Sequence, residues 1–271
     1  MKPDFSVDLC VIGGGLIGLS TAYEARRAGM SVLVLQDMKP GSASWASGGM
    51  IAPAAEAEGA NPDLVRLELE SCARYPEFVR GVEEASGIPC HYRTEGTLLL
   101  ALHNDHRADL NHLAQFQQRL GLESEVIDAA KVQEIEPRIS HRQMGGLYAK
   151  SDRQVEPCAL CRALAVAIDR LGGQRLDKAV PREFLRDKER VVGVVFEHEG
   201  QPKSVQCAST LIAAGAWSND AVPGVPKLPL RPVRGQVLRL RGETLIRHIV
   251  RTPDCYIVPR NGGEMLIGAT A

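Results

Sequence analysis

The chain has 271 residues and a nearly balanced charge, 32 Lys and Arg against 33 Asp and Glu, for a formal net charge of −1. With 44% hydrophobic and 24% charged residues it has globular composition and too many aliphatics for a disordered chain. There is no basic excess to neutralise phosphates, which excludes a dedicated nucleic-acid binder, and no run approaches the ~18 apolar residues of a membrane span.

Val7-Asp8-Leu9-Cys10-Val11-Ile12 is a short β-branched run of strand character. Gly13-Gly14-Gly15 breaks it, Leu16 to Ala28 follows with helical spacing, and Gly29 caps the helix. Ser31 to Leu35 is a second buried strand, so residues 7–37 form a βαβ unit with parallel strands. Pro62 to Ser86 predicts a long helix interrupted by Pro76. Gly96 to Leu102 reads as a strand, His103 to Leu120 as a polar helix, and Asp128 as the N-cap of a short one. Pro157 opens a helix that ends at Gly172-Gly173. Val191 to Phe196 and Ser204 to Cys207 predict a meander, and Thr210 to Gly215 a separate buried strand leading into a turn. Gln236 to Leu240, Tyr256 to Pro259 and Met265 to Gly268 are further strands, after a proline-rich connection at Pro223 to Pro232.

The chemistry begins at Gly13-x-Gly15-x-x-Gly18, placed between a strand and a helix. There the first glycine permits the tight turn, the second lets backbone approach a pyrophosphate, and the third lets helix pack on strand. The helix N-terminus offers N–H groups and a positive dipole end to phosphates. At the end of the second strand, where a carboxylate usually binds the ribose, stand Gln36 and then Asp37. The loop from Gly41 through Trp45 and Gly48-Gly49-Met50 to Pro53 is rich in small residues, which suits close approach of backbone amides to a flavin dinucleotide. Thr210-Leu-Ile-Ala-Ala-Gly215 likewise ends in small residues, Ala214 and Gly215, beside a cofactor.

The set GGGLIG, SASWASGGMIAP, LIAAGAWS, RPVRGQ and CYIVPRNGGEMLIGAT resembles the FAD-dependent amino-acid oxidases, and among them the glycine oxidase branch of thiamine biosynthesis. These blocks run from Val7 to Thr270. The resemblance implies FAD held by Gly13, Gly15, Leu16, Ile17, Gly18, Gln36, Asp37, Ala43, Ser44, Gly48, Gly49, Met50, Val180, Ala214 and Gly215. It also implies a substrate carboxylate held by Tyr256, beside Met50. No residue is assigned as a catalytic base and no metal is implied: hydride passes from the substrate Cα to flavin N5, and O₂ is reduced to hydrogen peroxide. The family arginine that pairs with the substrate carboxylate has no counterpart before Ala271, which implies a chain shortened at its C-terminus. Two other readings stand beside the oxidase: a D-amino-acid dehydrogenase with an acceptor other than O₂, and a truncated, non-catalytic chain. Relatives of this kind assemble as homo-oligomers.

The expected fold is α/β: a flavin-type Rossmann domain from residues 1–90 and 150–220, with a mixed α/β substrate domain from 91–149 and 221–271. The seven cysteines are scattered from Cys10 to Cys255, unlike a disulfide framework. Asp4, Asp8 and the glycine run do not suit a targeting segment, so a cytoplasmic protein with reduced thiols is expected. Cys158 and Cys161 have redox spacing but read as small buried residues, and His103, His106 and His112 read as a solvated helix face. Arg231 and Arg234 read as surface charge, and Trp217 as packing beside the cofactor.

Overall fold

The structure, a computed structural model, describes residues 2–37, 41–57, 61–243 and 245–270. In chain order its elements begin with β1 (Phe5–Ile12), α1 (Leu16–Arg27), β2 (Val32–Gln36), α2 (Ala43–Ala46), β3 (Met50–Ile51), α3 (Pro62–Ser86), β4 (Thr97–Leu100) and α4 (Asn104–Arg119). Next come β5 (Ser124–Ile127), α5 (Ala129–Ile135), β6 (Gly146–Ala149), β7 (Arg153–Gln154), α6 (Pro157–Arg170), β8 (Gln174–Asp177), β9 (Val180–Asp187) and β10 (Arg190–His198). The last are β11 (Gln201–Ile212), a 3₁₀ turn (Gly215–Asp220), β12 (Gln236–Arg241), β13 (Ile249–Arg251), β14 (Tyr256–Pro259) and β15 (Glu264–Thr270).

The chain divides into two compact units. The first comprises residues up to Ser47, Gly81–Pro89 and Pro157–Val233; the second comprises Gly48–Arg80, Cys90–Glu156 and Arg234–Ala271. The sequence-based boundaries put 48–80 with the dinucleotide domain, whereas these residues pack in the second unit. The cause is local: Met50 and Ile51 pair with Gln154 and Arg153, and Ala52, Ala54, Ala55 and Ala57 enter a core with Leu99 and Leu147. Small alanines let this segment lie close against the sheet.

In the first unit the sheet order is β8-β2-β1-β11-β10-β9. Strands β8, β2, β1 and β11 are mutually parallel, and β10 and β9 extend the sheet antiparallel. Leu9 to Ile12 are buried on both faces, as a parallel strand covered from two sides requires. Cys10, Ile12, Leu33, Leu35, Phe196 and Val205 fill one face. Helices α1 and α6 pack together, burying Leu19, Ala22 and Tyr23 from one and Leu160, Ala163 and Leu164 from the other. The two predicted strands at 204–207 and 210–215 merge into one strand, β11, which ends at Ile212. Its first half pairs with β10 and its second half runs along β1.

The second unit carries the sheet β12-β15-β14-β13-β4-β6-β5. Alternation separates its faces cleanly. Val250, Ile257, Met265, Leu98 and Leu100 pack with Val132 of α5, while Ile249, Val258 and Leu266 pack with Met50 and Tyr256. Helix α3 continues through Pro76 instead of breaking there. Proline costs such a helix one N–H donor, and flanking turns of good helix formers carry it past.

A buried carboxylate ties α5 to β13. Glu136, 2% exposed, accepts from the Arg247 and His248 amides and meets His248 Nδ1, each at 2.7 Å. Burial opposes the ionisation of Glu136, but these hydrogen bonds outweigh it and hold the carboxyl below its ordinary value.

Candidate functional site

The glycine turn sits at the carboxyl ends of β1 and β11, where ligands bind open parallel sheets. Gly13 donates to Leu35 O at 2.9 Å and has φ of +121°, a conformation side chains resist. A Cβ on Gly13 would overlap the Ala213 carbonyl, and one on Gly18 would overlap the Gly13 carbonyl. The first glycine therefore fits the turn against β11, and the third lets α1 sit down on the turn. Gly15 is the N-cap of α1 and brings no capping side chain of its own, and no acidic residue occupies the first turn. Ser44, on α2, accepts from the Leu16 amide at 3.0 Å. Ile17 is 74% exposed at the same end. A positively polarised helix end, lined by glycines and met by the Ser44 hydroxyl at Leu16, fits a dinucleotide pyrophosphate.

Other predicted residues of this unit converge on the same sheet end. Gln36 closes β2, its side chain lies against Gly14, and its amide donates to the Asp177 carboxylate. Asp37 follows, exposed. Asp177 was not singled out from sequence; the register that pairs β2 with β8 sets it directly beside Gln36. A carboxylate thus stands at the end of β2 although the β2 residue itself is neutral. Ala179 donates to Gln36 O at 3.1 Å, which puts Val180, the first residue of β9, next to the same strand end. Ala214 caps the 3₁₀ turn, and Gly215 opens it with φ of +58°. Ala43 begins α2, one residue from Ser44.

Gly48, Gly49, Met50 and Tyr256 belong to the second unit. Tyr256 lies across Gly268, where any Cβ would overlap the phenol ring. A Cβ on Gly48 would stand 3.5 Å from Tyr256 Cε2, an ordinary contact. Met50 packs in the same cluster as Tyr256, Ile249, Val258 and Leu266. Burial raises the Tyr256 hydroxyl above its ordinary value; Glu56 adds to the rise and Arg251 opposes it. The phenol is therefore a neutral O–H donor at physiological pH.

Three polar residues that sequence reasoning passed over hold this segment in place. Arg260, 8% exposed, donates from Nη2 to Gly48 O at 2.6 Å and from Nη1 to Val155 O at 2.9 Å. Val155 in turn donates to Gly49 O at 2.9 Å. Asp152 is fully buried and accepts from the amides of Ala54 and Ala55 at 3.1 and 3.2 Å. Burial pushes its carboxyl up to about 6 against the pull of those amides. Gln117 donates to Ala54 O at 2.7 Å. An isolated Arg, Asp or Gln has no sequence signal of its own; only the fold reveals which carbonyl or amide it meets.

Cys158 and Cys161 are half-buried and form no disulfide, unlike the buried pair expected, because the apolar face of α6 runs through Ala159, Leu160 and Ala163 instead. His103 and His112 are exposed, as are Arg231 and Arg234, and Trp217 is half-buried in the 3₁₀ turn. Among the described residues no group of three or more His, Cys, Asp or Glu could hold a metal, and no helix is long and apolar enough to cross a membrane.

A mostly parallel sheet with this glycine turn at its carboxyl ends defines a dinucleotide-binding fold. The chain belongs to the family described as FAD dependent oxidoreductase, which it matches over residues 8–271. It is 28% identical to a hydrogen cyanide synthase subunit HcnC of Pseudomonas aeruginosa, over 97% of this chain and 71% of that protein. It is 31% identical to the bifunctional protein ThiO/ThiG of Trichormus variabilis, over 97% of this chain and 39% of that one. The crystal structure of glycine oxidase from Geobacillus kaustophilus superimposes with a TM-score of 0.88 at 27% identity, covering 98% of this chain and 71% of that one. The protein is thus an FAD-dependent oxidoreductase homologous to glycine oxidase.

Proposed function

We propose that the protein oxidises glycine or another small amino acid or amine with FAD, consuming O₂, and serves thiazole synthesis in thiamine formation. The observation that carries this reading is the neutral, half-buried Tyr256 hydroxyl laid across Gly268 beside Met50. When bound, FAD accepts the hydride from the substrate Cα and O₂ reoxidises it, releasing hydrogen peroxide. FAD would be held by the N-terminal end of α1 with Gly13, Gly15, Leu16, Ile17 and Gly18, by Ala43 and Ser44, and by Gln36 and Asp37 toward the ribose. Val180, Ala214, Gly215, Gly48, Gly49 and Met50 complete the set.

In this reading Tyr256 donates its O–H to the substrate carboxylate, and Met50 supplies an apolar wall beside it. The clamp of Arg260, Asp152 and Gln117 keeps residues 48–55 from shifting, so the small substrate meets a preorganised surface. No side chain needs to remove a proton from carbon, because the amine reacts in its deprotonated form.

Purified protein supplied with FAD should release hydrogen peroxide with glycine, sarcosine or D-alanine, and Tyr256→Phe should raise KM more than it lowers kcat. Flavin uptake with no reduction by any of these amines would overturn the reading. Reduction by an amine followed by negligible reaction with O₂ would replace the oxidase with a dehydrogenase.

A further inference from the structure

The row of the second sheet that contains Tyr256 also contains a cation the proposed chemistry has not used. Across neighbouring strands the register reads Leu99, Arg251, Tyr256, Gly268. Directly paired residues point to the same face of a sheet. The face is identified by the next row: Ile249 lies two residues before Arg251, Val258 two after Tyr256 and Leu266 two before Gly268, and all three pack with Met50. Arg251 therefore stands beside Tyr256 on the Met50 side, where a sheet interior would ordinarily carry an aliphatic residue.

Among the described residues the guanidinium is held at one corner only. Its Nη1 donates to Glu56 Oε1 at 3.1 Å and reaches the Ala55 carbonyl at 3.4 Å. Ala55 is itself fixed by Asp152. Among the described residues, Nε and Nη2 have no hydrogen-bond partner, and the side chain keeps 28% of its exposure. The Nε–Nη2 edge of a guanidinium matches the two oxygens of a carboxylate. Glu56 orients the group from the opposite corner without occupying that edge.

We propose that Arg251 forms a second anion subsite beside Tyr256, which selects small amines carrying two carboxylates over those carrying one. One carboxylate is held by Tyr256 and the other by the free edge of Arg251. This inference rests on the proposed function for the role of Tyr256, and its test separates the two. A charge-assisted, bidentate hydrogen bond at a half-buried site contributes about 1.5 to 3 kcal/mol, or about ten- to a hundredfold in affinity.

Calorimetric titration of the FAD-supplied protein with malonate and acetate, which cannot be oxidised as amines, reads the subsite directly. The wild type should bind malonate at least about tenfold more tightly than acetate. Arg251→Met should remove the preference, and Arg251→Lys should restore part of it. In turnover, the kcat/KM ratios of iminodiacetate to sarcosine and of D-aspartate to D-alanine should fall by a similar factor in Arg251→Met. Equal affinity for malonate and acetate in the wild type would overturn the proposal, a result that needs no variant to fold. So would an Arg251→Met protein that keeps the preference, or one that weakens both ligands alike, since the arginine would then hold the shared carboxylate. Malonate selectivity without oxidation of any amine would leave the subsite standing and remove the proposed function; oxidation of glycine without malonate selectivity would do the reverse.

Discussion

In the first unit the candidate site is made of backbone: Gly13, Gly15 and Gly18 act by having no side chain, and the end of α1 acts through its amides. In the second unit the candidate site is made of side chains, with Tyr256 and Arg251 on a sheet face and a segment held by Arg260, Asp152 and Gln117. A backbone site is intolerant of added atoms and takes its charge preference from the helix end, not from a side chain. A side-chain site tolerates volume changes but depends on each buried polar group meeting its partner.

The sharpest break of the first unit is Gly18→Val. Its Cβ would overlap the Gly13 carbonyl, a backbone atom with nowhere to move. Loss of all FAD retention, read from the absorbance of the purified protein, is expected, together with a lowered melting temperature. The sharpest break of the second unit is Arg260→Met, which leaves the buried carbonyls of Gly48 and Val155 without their donor. Urea unfolding should show a loss of roughly 3 kcal/mol or more.

Asp152 gives the second unit a pH dependence. Its carboxyl moves from an ordinary 3.8 to about 6 in the fold, so the native state holds the proton more tightly than the unfolded chain. Its contribution is most favourable below about pH 4 and is lost as pH rises through about 6, a change of about 3 kcal/mol. Unfolding free energies measured across that window should show this slope in the wild type and lose it in Asp152→Asn. A slope of the opposite sign would mean that the Ala54 and Ala55 amides outweigh burial. The smallest effect belongs to Ser44→Ala, which removes the acceptor of the Leu16 amide. A cost of about 1 kcal/mol is expected, with FAD affinity reduced only a few-fold.

The same contrast explains which parts of the fold and site are legible in the sequence. Gly13-x-Gly15-x-x-Gly18 is legible because the constraint lies in contiguous residues, and β1, α1 and β2 follow in the expected order. Tyr256 and Met50 were reached through a resemblance, not through periodicity. Asp177 beside Gln36 is invisible in sequence because 141 residues separate them and the β2–β8 register alone joins them. Arg260 on Gly48 is further still, at 212 residues. The merging of two predicted strands into β11 has a similar cause: β1 pairs with Ser209 and Thr210 and carries the strand through. The placement of 48–80 in the second unit depends on the short ladder between β3 and β7, two residues on each side.

The most direct test of the account is to load the protein with FAD, remove O₂, and mix it with glycine or sarcosine while following the visible absorbance of the flavin. Bleaching in the wild type, with a higher amine concentration required by Tyr256→Phe, is the predicted result. A bound flavin that stays oxidised with every small amine would contradict it.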